Sequence, residues 1–261
     1  MLLITDLEKT YPGPNGGFTA VRGMSFAVQD GEMFTIVGPS GAGKTTLLRC
    51  IAGLSAPTAG TISIDGVPID GPPREFAVVF QDYARSLMPW MSVARNVELP
   101  LVKHGSDARS RRRAVEQALA EVGLADAAHK KPFQLSGGMQ QRVAIARAIA
   151  YRPKVLIMDE PFASVDAQTR ADLEDLLLKV REETGTTIVF VTHDVDESVY
   201  LSDRVAIVTR SPSRIDRIVS IPLPHPRDQI VTKSLPEFAE LRAQVFGRIR
   251  EMVHDAALAD A

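Results

Sequence analysis

The segment Gly38-Pro-Ser-Gly-Ala-Gly-Lys-Thr45 constrains the fold of this chain more than any other stretch. It satisfies the spacing G-x-x-x-x-G-K-[ST], and it lies between a short apolar run at 33–37 and a helical pattern at 46–52. A strand that turns through glycines into a helix opens a parallel α/β unit. The residue types also dictate a chemistry. Gly38, Gly41 and Gly43, with Pro39, Ser40 and Ala42 between them, let the backbone wrap an anion, so that N–H groups and the positive end of the following helix face phosphates. Lys44 adds a point charge for the β and γ phosphates. Thr45 offers a hydroxyl to the magnesium ion that travels with ATP, and Thr46 completes the cradle.

Composition narrows the remainder. A chain of 261 residues, 45% of them hydrophobic, buries one substantial core, with or without a smaller subdomain. Its net charge of −2 supplies no global field toward nucleic acid or an anionic membrane. The one basic run, Arg109 with Arg111, Arg112 and Arg113, opens a helical pattern and reads as a solvated face. A lone Cys50 excludes a disulfide framework and a thiolate metal cluster, and reads as packing. The histidines at 104, 129, 193, 225 and 254 show no ligand spacing, so no metal beyond the nucleotide's own is expected. Neither an export signal nor an apolar run of about 20 residues is evident, which predicts a cytoplasmic protein.

Strand-like runs at 34–37, 76–80, 155–158, 187–191 and 205–208 alternate with helical stretches and predict a mainly parallel sheet. Shorter patterns at 2–7, 23–28 and 61–64, joined by turns such as Gln29-Asp-Gly and Ile64-Asp-Gly, predict antiparallel pairing. Between about 85 and 150, alanine, leucine, arginine and glutamate replace β-branched residues, as in an inserted helical subdomain. After Pro222-Leu-Pro-His-Pro226, the residues Phe238, Leu241, Val245, Ile249 and Met252 line one face of a final helix expected to dock on the body.

Two further motifs carry chemistry. In Leu135-Ser-Gly-Gly-Met-Gln-Gln-Arg142, Ser136 is a good N-cap, and Gly137 and Gly138 expose backbone N–H groups at the start of a helix, a second anion seat. One ATP does not need two such seats, unless the second serves a nucleotide held by another copy. In Val155-Leu-Ile-Met-Asp159-Glu160-Pro161, an apolar strand delivers two carboxylates to the sheet edge where ligands bind. Asp159 suits the magnesium shell, and Glu160 suits the polarisation of an attacking water. His193 ends the next apolar strand and is expected to hydrogen-bond the γ phosphate.

The ordered set of the 38–45 loop, Gln81, Leu-Ser-Gly-Gly-Met at 135–139, Asp159-Glu160, Asp166 and His193 resembles the ATP-binding cassette family over nearly the whole chain. The resemblance implies a P-loop NTPase (RecA-like) α/β core with an antiparallel β subdomain, an inserted α-helical subdomain and a C-terminal helical extension. It places the ATP-binding domain at 1–225 and the extension at 226–261. By the same resemblance Tyr11 looks like the aromatic that stacks on adenine, Gln81 like the link between magnesium and the helical subdomain, and Asp166 like an aspartate at a dimer seam.

The finer match is to ATPase subunits of bacterial importers of the nitrate, sulfonate and taurine type. Its carriers are Leu87-Met-Pro-Trp90, the run from Asp159 to Arg170, Val191-Thr-His-Asp-Val-Asp-Glu197 and Leu223-Pro-His-Pro-Arg227. Ala163-Ser164-Val165 departs from the Gly-Ala-Leu expected there. That match implies a homodimer formed on ATP binding, with each ATP between one copy's glycine loop and the other copy's Ser136 segment. It also implies transmembrane permease subunits docked near 81–100, a solute-binding protein acting indirectly, no nucleic acid, and a place on the inner face of the membrane. The alternatives are an exporter or lipid-trafficking cassette, and a soluble cassette ATPase acting on nucleic acid or ribosomes. The second alternative expects a coiled-coil insertion or a duplicated cassette, and the sequence shows neither.

Overall fold

The computed structural model describes every residue except 14–16, 83–85, 105–106, 164 and 260–261. Its first half runs β1 (Leu2–Tyr11), β2 (Phe18–Val28), β3 (Met33–Val37), α1 (Lys44–Ile51), β4 (Ala59–Ile64), β5 (Val67–Pro68), β6 (Phe76–Val79), α2 (Val93–Glu98) and α3 (Ala108–Glu121). There follow α4 (Gly137–Ala150), β7 (Val155–Asp159), α5 (Ala167–Thr184), β8 (Thr187–Thr192), α6 (Val195–Leu201), β9 (Arg204–Val208), β10 (Ile215–Ser220) and α7 (Pro236–Ala259). The chain divides into two compact units, 1–73 with 187–261, and 74–186.

The first unit contains an antiparallel sheet in the order β2-β1-β4-β5. Asp65 and Gly66, at φ 49° and 81°, supply the two left-handed residues that a tight hairpin between β4 and β5 requires. β1 and β2 extend beyond the predicted 2–7 and 23–28, because register shifts along their pairing break the apolar alternation while the ladder continues. Tyr11 is the last residue of β1, paired with Phe18.

In the same unit β3 lies between β8 and β9 and pairs with both in parallel, while β10 pairs antiparallel with β9. All five residues of β3 and all six of β8 are buried, as continuous apolar runs in parallel sheets demand. β10 escaped the sequence reading because only Val219 of its six residues is buried. Phe26 stacks on Phe34 with centroids 5.0 Å apart. Arg204 lies over the same Phe34 ring and pairs with the buried Glu32 at 2.6 Å. The final helix docks as its spacing predicts, with Phe238 and Val245 buried and Leu241, Ile249 and Met252 half-buried. Arg248 fixes it to β10 through a two-pronged ion pair with Asp216, at 2.6 and 2.7 Å, and Arg242 pairs with Asp196 of α6.

In the second unit β6 and β7 pair in parallel, with α2, α3 and α4 between them in sequence and α5 after β7. The unit is larger than the helical insertion predicted at 85–150, since it includes both strands and α5. Arg85, where the insertion was expected to begin, lies outside the described residues. α3 is capped by Asp107, which accepts from the Arg109 and Ser110 amides at 2.9 and 3.0 Å. Arg109, Arg112 and Arg113 are exposed, as a solvated face requires, and Arg112 reaches Glu116 at 2.8 Å, whereas Arg111 is half-buried and reaches Glu98 at 3.1 Å. Cys50 is buried on α1 in the first unit, as packing requires. Among the described residues no helix is long and apolar enough to cross a membrane, and no group of three or more His, Cys, Asp or Glu could hold a metal ion.

Candidate nucleotide site

The glycine loop is shaped by close approach as much as by freedom of rotation. A Cβ on Gly38 would lie 2.6 Å from Val208 Cγ2, and one on Gly43 would lie 2.8 Å from the Ala20 carbonyl oxygen. Gly41 and Gly43 hold φ of 76° and 73°, the left-handed region that other side chains rarely occupy. Gly43 is the N-cap of α1 and carries no side chain to cap it, so the positive end of the helix is left to an incoming anion. The helix begins at Lys44, two residues before the sequence pattern suggests, which puts Lys44 and Thr45 in its first turn.

Lys44 is buried, and its ammonium donates to the Gly38 and Pro39 carbonyls at 2.9 and 3.1 Å. Ala42 donates its amide to Pro39 O at 3.2 Å, closing a turn within the loop. Ser40, Gly41 and Thr45 face outward. Tyr11 is exposed, its hydroxyl 3.4 Å from Thr46 Oγ1 and its ring beneath the Lys9 ammonium at 5.2 Å, so β1 brings an open aromatic face to the loop. Ser211 was missed by the sequence reading. Its hydroxyl donates to Gly41 O at 2.8 Å from 170 residues away, and no local pattern marks it. His193 follows β8 and is exposed, and Asp194 caps α6 behind it by accepting from the Asp196 and Glu197 amides.

The second unit gathers the other predicted residues. Ser136 caps α4, its Oγ accepting from the Met139 amide at 3.3 Å. Asp166 caps α5 in the same manner, accepting from the Thr169 amide at 3.0 Å and hydroxyl at 2.7 Å. These bonds hold its carboxyl below the usual carboxylate range. Gly138 has a role that the sequence reading did not foresee. A Cβ there would lie 2.7 Å from Thr169 Cγ2, so the glycine is what lets the starts of α4 and α5 meet.

Asp159 ends β7 and is buried, while Glu160 beyond it is half-buried with φ 44°. A glutamate held in the left-handed region is strained, and such strain concentrates at working sites. Gln81 is exposed, and its amide nitrogen donates to Glu160 Oε2 at 3.4 Å. The segment at 88–92 is fixed by Asn96, which is fully buried, accepts from the Met88 amide at 2.7 Å and donates to the Met88 and Ser92 carbonyls at 3.1 and 3.0 Å. Leu87 is buried, whereas Trp90 is 68% exposed. Ser164, within the atypical Ala163-Ser164-Val165 run, lies outside the described residues.

The family model described as "ABC transporter" matches residues 21–163. The chain is 42% identical to the nitrate import ATP-binding protein NrtD of Synechococcus elongatus, covering 95% of this chain and 91% of that protein. It is likewise 42% identical to the bicarbonate transport ATP-binding protein CmpD of the same species, covering 92% and 87%. Among solved structures, the ATP-binding cassette MJ0796, in a dimeric post-hydrolysis state bound to ADP and Pi, shares the fold with a TM-score of 0.75. It is 32% identical, with 85% of this chain and 99% of that chain covered. A phosphate loop on a parallel α/β core, a Ser-Gly-Gly helix start and an Asp-Glu strand end, joined to these likenesses, place the chain in the ABC transporter family.

Proposed function

We propose that this ABC-family ATPase energises a multi-subunit membrane importer of a small solute and that it works as two copies closed by ATP. The observation that carries the reading is that one chain has two glycine-rich helix starts, and only one of them has a lysine. α1 begins at Gly43 with Lys44 beside it, and α4 begins at Ser136 with Gly137 and Gly138. One nucleotide occupies the first; the second takes the phosphates of the nucleotide held by another copy. ATP binding then joins the copies, hydrolysis releases them, and the cycle drives the permease.

In this reading residues 38–46 hold the phosphates and Tyr11 stacks on adenine. Thr45, Gln81 and Asp159 are hydroxyl, amide and carboxylate, the hard oxygen donors that Mg²⁺ selects. A carboxylate as buried as Asp159, at 5% exposure, is worth its desolvation where a cation meets it. A magnesium ion held by these residues would supply the positive charge that phosphoryl transfer requires. Glu160 polarises the attacking water, His193 hydrogen-bonds the γ phosphate, and Asp166 lies at the seam between copies. Residues 1–225 form the ATP-binding domain and 226–261 an appended extension. The relatives named for nitrate and bicarbonate favour a small oxyanion as cargo, with sulfonates and taurine close in chemistry. A solute-binding protein acts through the permease, which docks on the Trp90 segment at the inner face of the membrane. A net charge of −2 gives nucleic acid no purchase.

Complementation tests the shared site. Lys44→Ala disables a copy's own loop, and Ser136→Arg disables what it lends to the other copy. An equimolar mixture should hydrolyse ATP although neither variant does so alone. Absence of recovery, with both variants folded, would overturn the head-to-tail reading.

A further inference from the structure

α4 connects two places that the proposed function uses. Its first turn carries Ser136, Gly137 and Gly138. Eleven residues on from Ser136, or about 16 Å along the helix axis, Arg147 grips Ser86. Nη1 donates to the Ser86 carbonyl at 2.6 Å and Nη2 to the Ser86 hydroxyl at 2.7 Å. Ser86 stands five residues after Gln81, and Gln81 in turn donates to Glu160. Between its ends the helix is gripped on all sides, with Val143, Ala144, Ile145 and Ala146 at 2% exposure or less. The guanidinium is desolvated, which lowers its pKa and makes the two Ser86 acceptors its compensation. Neither the phosphate-binding residues nor the solvated arginines of α3 explain a forked cation in this position.

We infer that Arg147 is a positioning residue for hydrolysis: by fixing Ser86, five residues from Gln81, it keeps the Gln81 amide on Glu160. The inference rests on the roles proposed above for Gln81 and Glu160. It concerns the chemical step and not nucleotide capture, because it acts through Gln81 and Glu160, to which the proposed function gives no part in holding the phosphates. Arginine suits the position because its rigid planar fork presents two fixed donors to the Ser86 carbonyl and hydroxyl, whereas a lysine would have to order a flexible stem to serve both.

Steady-state ATPase kinetics of the full chain provide the test. Arg147→Met should lower kcat by about ten- to a hundredfold, the scale on which small misplacements act, with KM for ATP within about twofold of the parent. Arg147→Lys and Ser86→Ala should show similar, milder losses with unchanged melting temperatures, and these two variants stand in if Arg147→Met does not fold. Combining Arg147→Lys with Gln81→Ala should be no slower than Gln81→Ala alone. Multiplied losses in that double variant, or a raised KM with kcat intact, would overturn the inference. Wild-type turnover by Gln81→Ala would overturn the role of Gln81 itself and the inference with it, and is recognisable because it is seen in the single variant.

Discussion

Gly138 at the start of α4 and Thr169 in the first turn of α5 approach so closely that a methyl group on the glycine would lie 2.7 Å from Thr169 Cγ2. The contact joins the helix start capped by Ser136 to the one capped by Asp166, so two of the proposed seam elements share one packing constraint. Threonine is stiff at χ1 and cannot swing away without giving up the bond from its hydroxyl to Asp166. Gly138→Ala should cost about 1–3 kcal/mol of stability by overpacking, measured by urea unfolding. Thr169→Ser deletes Cγ2 and keeps the hydroxyl, so the double variant Gly138→Ala/Thr169→Ser should regain most of that loss. No recovery in the pair would show that Gly138 is required for another reason.

Glu160 combines an unfavourable backbone with a proposed chemical duty, and the two can be separated. At φ 44° a Cβ costs about 1–2 kcal/mol that glycine avoids. Glu160→Gly should therefore be more stable than Glu160→Ala by about 1 kcal/mol, although neither should turn over ATP. Glu160→Gln should bind ATP, hydrolyse it hardly at all and accumulate as a dimer in light scattering. Ordinary turnover by Glu160→Gln would remove Glu160 from the mechanism.

Lys44→Ala removes both the tie to the Gly38 and Pro39 carbonyls and the charge offered to phosphate. Charge-assisted bonds contribute about 1.5–3 kcal/mol, so ATP affinity should fall at least about tenfold, as read by calorimetry. Unchanged affinity would refute the phosphate-loop reading.

The attachment of α7 should respond to acid. Hydrogen bonds from Arg248 hold the Asp216 carboxyl below its ordinary pKa. A depressed folded-state value means that the stabilisation is present above the unfolded pKa, about 3.9, and is lost as pH falls through the folded value. Parent and Asp216→Asn melting temperatures should therefore differ at pH 7, and the gap should narrow as pH falls below about 3.9. A gap that persists in acid would mean that the ion pair is not its source.

Trp90 offers a large aromatic on a backbone anchored by Asn96, the form that dominant interface residues take. Trp90→Ala should leave the ATPase activity and melting temperature of the isolated subunit unchanged. It should weaken binding to the permease by about 2 kcal/mol or more, measured by copurification at graded concentration.

Local signals were readable before any coordinates. The strand, loop and helix around 38–45 declare themselves through glycine spacing, and the face of α7 through residues three and four apart. Asp166-Ala-Gln-Thr169 also carries a cap pattern, which the seam reading passed over. Contacts between distant segments leave no such trace. Val208 against Gly38, Thr169 against Gly138 and Arg147 on Ser86 join residues 31 or more positions apart. Periodicity reports which face of an element is apolar but not which partner meets it. Trp90 shows the same limit, since an apolar cluster at 87–91 gives no sign that Leu87 is buried while the tryptophan two residues beyond Met88 is out in water.

The backing of the glycine loop by Val208 and Ser211 has a consequence for anyone moving this motif elsewhere. Eight residues spell the loop, but its curvature is imposed from a strand end some 170 positions downstream. Transplanted between another strand and helix, 38–45 would keep its letters and lose its mould. An insertion at 209–213, far from the motif in sequence, should be felt first as a change in nucleotide affinity.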